Sequence, residues 1–252
     1  MSDLEDWDFV PGPPQPALVP EPPYLMFQAP DNETPYERRF RMLQQVRRAC
    51  MACTMCELGW KGVSRDNLVY RDPHVFSSLT PTRFMVVGQN PGWTEVCECT
   101  PFVGAAGTNF DNEVIANGLS RDDFYICNTV RCYTQNNQPP LYKHICRCQP
   151  FLQIEINLLR PLLVVALGAV AYEALCPDEV AAGGRFSQAL GEITRSKRYD
   201  VPVFAIYHPS PLNLDGEGRL AMFQKHMRLM CGLVVRLKER HPDAAAPIKV
   251  ED

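Results

Sequence analysis

The sequence predicts an α/β fold: a three-layer α/β/α sandwich with a central four-stranded parallel sheet. Apolar runs of strand length recur at 84–87 (FMVV), 124–128 (FYICN), 162–167 (LLVVAL) and 203–207 (VFAIY). Segments with helical spacing or helix-boundary residues separate them. Runs this continuous must be buried on both faces, and a parallel sheet covered by helices achieves that.

The elements follow in order. Residues 1–35 hold nine prolines and seven acids (Asp3, Glu5, Asp6, Asp8, Glu21, Asp31, Glu33), with no Lys or Arg. Such a segment buries too little apolar surface to offset its ordering entropy, so an acidic, disordered arm is expected. YLMF at 24–27 is its candidate docking motif for a protein partner. A helix starts at Thr34, where Thr-Pro-Tyr-Glu supplies an N-cap hydroxyl, a proline for the first helical position and Glu37 to close a capping box. Its arginines, Arg38, Arg39, Arg41, Arg47 and Arg48, form a solvated basic face. The first strand ends in the turn GQNPG, and PFVGAAG opens a helix near 107–117. After the second strand and the loop TQNNQPP, a helix begins at Pro150 and ends before Pro161. The third strand leads into a short helix at 169–175, then a loop at 177–199 and the fourth strand. In the last helix, 218–240, Leu220, Phe223, Met227, Met230, Val234 and Leu237 share one face as core packing. The divisions are thus an arm (1–35), one catalytic α/β domain (36–241) and a tail (242–252).

The net charge of −4 is unevenly spread. Outside the acidic arm, 25 basic residues stand against 22 acidic ones, a net +3 compatible with DNA. The longest apolar run, 162–171, is too short to cross a bilayer, and the acidic N-terminus is no signal peptide. A cytoplasmic or nuclear monomer with no membrane partner is expected.

Eleven cysteines in a reducing compartment suggest metal ligands rather than disulfides. Cys50, Cys53 and Cys56 recur at every third position, and Cys132, Cys146 and Cys148 bracket the loop after the second strand. A set of four thiolates suits either an iron–sulfur cluster or zinc, and the spacing does not choose between them. Cys97, Cys99, Cys127, Cys176 and Cys231 read as small buried hydrophobes.

Strand ends deliver Asn90, Asn128 and His208 to the carboxyl edge of the sheet, with Phe102 nearby, which reads as one pocket. With CTMCEL, the G-x-x-P-G turn followed by Glu95, PFVGAAG, YICNTVRC, the cysteine before QPFL, and HPSPL in this order, the chain resembles the iron–sulfur uracil-DNA glycosylases, family 4 of that superfamily. The resemblance covers about 53–212 and implies a [4Fe–4S] cluster on Cys53, Cys56, Cys132 and Cys148, with Cys50 and Cys146 as possible substitutes. It also implies uracil-containing DNA as substrate. Phe102 would stack on the uracil ring, Asn128 pair with its O4 and N3–H, and His208 donate to O2 as charge develops. Gly88 and Gln89 of the turn and Ser210 complete the substrate-binding set, and Leu212 would wedge into the gap left by the flipped base.

The turn departs from the family pattern, which has Glu after the first Gly and no Asn before Pro. Asn90 instead resembles the G-x-N-P-G turn of the mismatch-specific and single-strand-selective branches, where Asn positions the attacking water. An amide can orient water without acting as a general base. Gly92 stands where the best-known uracil enzymes have a Tyr that excludes thymine, which leaves Trp93 or Glu95 to do so or makes exclusion incomplete. The implied activity is hydrolysis of the deoxyuridine N-glycosidic bond. The alternatives are a broader deaminated-base glycosylase, a catalytically silent uracil-DNA binding module, or a zinc-stapled interaction protein.

Overall fold

The computed structural model describes residues 33–60, 63–65, 68–70, 78 and 82–242. Most of the expected arm, its YLMF motif, and all of the tail but residue 242 lie outside the described residues. The first described element is α1 (Pro35–Met51), capped as its sequence predicts: Thr34 Oγ1 accepts from the Glu37 N–H at 3.2 Å, and the Thr34 N–H donates to the Glu37 carboxylate at 2.8 Å. A short α2 (Glu57–Trp60) and a two-stranded antiparallel pair, β1 (Val63–Arg65) and β2 (Leu68–Tyr70), follow.

The body alternates strands and helices: β3 (Phe84–Gly88), α3 (Trp93–Glu98), α4 (Ala105–Ala116), β4 (Tyr125–Asn128), α5 (Tyr142–Leu159), β5 (Leu163–Leu167) and α6 (Ala169–Leu175). Then come α7 (Pro177–Ala181), α8 (Phe186–Ala189), β6 (Ile193–Ser196), β7 (Val201–Ile206), α9 (Pro211–Leu214) and α10 (Arg219–Arg240). The sheet order is β4-β3-β5-β7-β6. The first four of these strands are mutually parallel, and β6 pairs antiparallel with β7.

The expected four-stranded parallel sheet is therefore a mixed sheet of five strands. The fifth lies in the stretch expected to be a loop, because Ile-Thr-Arg-Ser carries no apolar run. An edge strand needs none, having only one strand neighbour.

Three layers follow from the pleat. Phe84, Val86, Phe124, Ile126, Leu163, Val165, Phe204 and Ile206 face one side and pack with Phe110 and Val114 of α4 and with Phe223, Met227, Met230 and Val234 of α10. Met85, Val87, Tyr125, Cys127, Val164, Ala166, Val203 and Ala205 face the other, against Leu43 of α1, Leu152, Ile156 and Leu159 of α5, and Ala171 and Leu175 of α6. Successive strand residues alternate between these two cores, which is why each run is apolar up to its carboxyl end.

Two helix expectations change. Leu220 is half exposed, so the buried stripe of α10 starts at Phe223. The helix assigned to start at Pro150 starts at Tyr142, with Pro150 inside it. His144, Cys148, Phe151 and Leu152 are buried on both sides of the proline, and their packing outweighs its missing N–H.

The strand order sets the ligand edge. From β3 the chain moves outward to β4, then crosses back over β3 to β5, so the direction of winding reverses beside β3. The carboxyl edge at such a reversal is a crevice between diverging connections.

Candidate active site

The carboxyl ends of β3 and β4 are held in register, with Gly88 opposite Asn128. Thr129 clamps the crossing by donating from both its N–H (2.8 Å) and its hydroxyl (2.9 Å) to the Gly88 carbonyl. Beyond this edge opens a cavity of about 500 Å³. Asn90, Phe102, Asn128 and His208, expected in one pocket, line it together, and Ser210, expected to bind substrate, lines it with them. Gly88 and Gln89 are not among its lining residues. Gly88 lies behind it against Phe102 and Asn128, and Gln89 Nε2 donates to Asn90 Oδ1 at 2.8 Å. Leu212 is also outside the lining, 86% exposed on α9.

Phe102 is presented by a backbone in the left-handed region, with φ 53°, which a bulky residue adopts only under constraint. The constraint comes from two sides. Arg121 donates to the Phe102 carbonyl at 3.0 Å and to the Pro101 carbonyl, and is itself paired with Asp111 at 3.0 Å. Gly107 provides the room, since a Cβ there would stand 1.8 Å from the Phe102 carbonyl oxygen. The ring so fixed is 4% exposed, with its centroid 6.0 Å from that of His208.

Asn128 is 3% exposed, and its Oδ1 has no hydrogen-bond partner among the described residues. Leaving a buried acceptor unmet costs about 1–3 kcal/mol, a cost that marks a site for a ligand donor.

His208 follows β7. Its Nδ1 accepts from the Ser210 N–H at 3.3 Å, so in the neutral ring Nε2 carries the proton. Burial pushes the imidazole down to about 4, which keeps it neutral near pH 7. Asn109 of α4 steadies this loop by donating to the Pro209 carbonyl at 2.9 Å.

Sequence reasoning missed part of the lining. Tyr133, Asn136 and Asn137 come from the loop after β4, and Tyr133 packs edge-on against Trp93 at 5.8 Å. The run TQNNQPP signalled only a turn, because its polar residues acquire a role through distant partners. Glu95 accepts from the N–H groups of Val103 (3.0 Å) and Gly104 (2.7 Å), tying α3 to the loop that carries Phe102. A Cβ on Gly92 would meet Glu95 Oε2 at 2.6 Å, so that carboxylate takes the space a side chain at position 92 would need.

The expected [4Fe–4S] cluster is corrected. Among the described residues, no group of three or more His, Cys, Asp or Glu side chains could hold a metal ion. Cys50 and Cys53 instead join Val46, Phe151 and Ile154 in an apolar cluster. Burial and the neighbouring thiols push Cys132 up, and burial pushes Cys148 up to about 11. Cys56 is half-buried at the turn before α2. Cys127, Cys176 and Cys231 are buried as expected, whereas Cys97 and Cys99 are exposed.

Comparison with known proteins identifies the family. Residues 76–230 match the model of the uracil DNA glycosylase superfamily. The chain is 34% identical over 133 residues to a type-4 uracil-DNA glycosylase of Thermotoga maritima, covering 53% of this chain and 65% of that protein. It is 31% identical over 170 residues to the type-4 enzyme of Archaeoglobus fulgidus, covering 67% and 81%. A type-5 uracil-DNA glycosylase of Pyrobaculum aerophilum is 36% identical over 110 residues, covering 41% and 46%. The chain belongs to the uracil DNA glycosylase superfamily.

Proposed function

We propose that this protein is a base-excision repair glycosylase that hydrolyses the N-glycosidic bond of deoxyuridine in DNA, releasing uracil and leaving an abasic site. The observation that carries the reading is the buried Oδ1 of Asn128, without a partner among the described residues, in a cavity walled by Phe102 and His208. Uracil presents N3–H as a donor and O4 as an acceptor on adjacent atoms, and one amide answers both. Cytosine presents the opposite pattern. Phe102 gives the flipped ring a flat face, with its own position set by Arg121 and Gly107 rather than by the ligand.

Bond cleavage sends the electron pair of the N1–C1′ bond into the base, and negative charge accumulates on uracil O2. The neutral His208, with its proton on Nε2, donates to that oxygen, and the contact strengthens as charge grows. Asn90 orients the water that adds to the oxocarbenium-like sugar carbon. The carboxylate of Glu95 fills the wall beside Gly92 and supplies bulk against a 5-methyl group. Leu212, exposed at the rim on α9, would fill the gap in the base stack left by extrusion.

Purified protein incubated with a labelled single-stranded oligonucleotide containing one uracil, then treated with alkali, tests the reading. Breakage at uracil and not at a cytosine in the same position is expected. An intact strand would overturn it.

A further inference from the structure

The amide of Asn90 sits in a set of partners that leaves one lone pair for a ligand. Its Nδ2 faces three acceptors: the Pro91 carbonyl at 3.0 Å, Thr134 Oγ1 at 3.1 Å and Asn137 Oδ1 at 3.3 Å. Its Oδ1 accepts from Gln89 Nε2 at 2.8 Å. The Thr134 hydroxyl spends its proton on the Gln138 carbonyl, so toward Asn90 its oxygen only accepts. Turning the amide over would set its oxygen against two acceptors that cannot reverse, the Pro91 carbonyl and the Thr134 oxygen. A single orientation is therefore allowed, with both Nδ2 protons engaged and one Oδ1 lone pair left beside the cavity.

The partners are themselves fixed. Thr134 is 5% exposed. Asn137 has φ 54°, a left-handed conformation that Asn tolerates better than most residues. That conformation, shared by Asn136 at φ 55°, lets a loop more than forty residues downstream reach the turn after β3.

We propose that Thr134 and Asn137 are positioning residues for hydrolysis: they lock Asn90 so that its remaining Oδ1 lone pair accepts from the attacking water and aims the water oxygen at C1′. The inference rests on the glycosylase reading. In the step, the water oxygen bonds to C1′ as the N1–C1′ bond breaks, and its pair of electrons leaves with uracil. The amide takes no proton, so the proton shed by the water passes to bulk solvent, which in turn protonates the released base.

Thr134→Val removes the acceptor while keeping the side-chain shape, and Thr134→Ser keeps the hydroxyl. Asn137→Gly removes the side chain but preserves the left-handed backbone, and Asn137→Asp keeps an acceptor oxygen. Each would be compared with Asn90→Ala by single-turnover cleavage of the uracil oligonucleotide and by its binding affinity. Thr134→Val and Asn137→Gly are expected to cleave about tenfold more slowly with DNA affinity unchanged. Thr134→Ser and Asn137→Asp should restore the rate, and Thr134→Val added to Asn90→Ala should cost nothing more. Wild-type rates in the Val and Gly variants, or full additivity with Asn90→Ala, would overturn this inference alone. A wild-type protein that does not cleave would overturn the functional reading, and this inference with it.

Discussion

Replacing Gly88 by alanine tests whether Phe102 and Asn128 must be placed as they are. An ideal Cβ at position 88 would stand 2.4 Å from Phe102 Cζ, 2.5 Å from Phe102 Cε2 and 2.5 Å from Asn128 Oδ1. Carbon contacts settle at about 3.5 Å or more, so the ring must retreat by about 1 Å and the amide by a similar distance. The backbone itself accepts alanine, since Gly88 is not among the positive-φ residues, and the perturbation falls on these two side chains. A misplacement of that size near the reacting bond costs on the order of 10²-fold in rate. Overpacking should also lower stability by about 1–3 kcal/mol. Single-turnover cleavage measures the first effect, and urea unfolding shows that enough protein remains folded for the rate to be meaningful. Gly88→Ala that cleaves within about threefold of the wild-type rate would refute the reasoning, because it would show that neither side chain needs its observed position.

Other consequences follow from the same geometry. Asn128→Asp keeps acceptors but loses the donor to O4, so preference for uracil over cytosine should fall by roughly 10- to 100-fold on a substrate panel; undiminished discrimination would remove Asn128 from base reading. His208→Ala should slow cleavage by roughly 10²-fold with little change in DNA affinity, and an unchanged rate would take His208 out of the reaction. In the fold, burial holds the His208 imidazole down at about 4, below its ordinary range in the unfolded chain, so protonation favours unfolding. Its contribution to stability is complete above about pH 6.5 and is lost as pH falls toward 4, so urea unfolding at about pH 5 and pH 7 should show a shallower acid loss in His208→Gln than in wild type. Glu95→Ala leaves the Val103 and Gly104 N–H groups without their carboxylate, which should cost about 1–3 kcal/mol in urea unfolding, while Glu95→Gln retains an acceptor and loses less.

What the sequence made legible was whatever composition marks locally. The four buried parallel strands are apolar up to their carboxyl ends because both faces are covered, and the Thr34 cap is written in four consecutive residues. Asn90, Phe102, Asn128, His208 and Ser210 were identifiable because they sit at or just beyond strand ends or in recognisable turns, and the fold brings them to one cavity. The edge strand β6 was not legible, since its polar Thr-Arg-Ser reads as loop. The start of α5 was hidden because Pro150 suggested a boundary, and only the packing of residues before it shows otherwise. The cysteine spacing misled for a related reason: a repeat of three places thiols near a helix end, and the apolar neighbours that Cys50 and Cys53 meet there, Phe151 and Ile154, come from a distant helix. The brace on Asn90 depends on Thr134 and Asn137 meeting it across the fold, and local sequence carries no trace of that approach.

The central claim is that this pocket grips uracil by its edge and releases it as a free base. Its most direct measurement is chromatographic detection of the base set free from single-stranded DNA carrying isotopically labelled uracil, with wild-type protein and Asn128→Asp side by side. The account predicts labelled uracil from the wild type, and a rate lowered by roughly 10-fold or more from the variant. Equal release from both proteins would contradict the reading of the Asn128 amide, and no release from folded wild-type protein would contradict the glycosylase account itself.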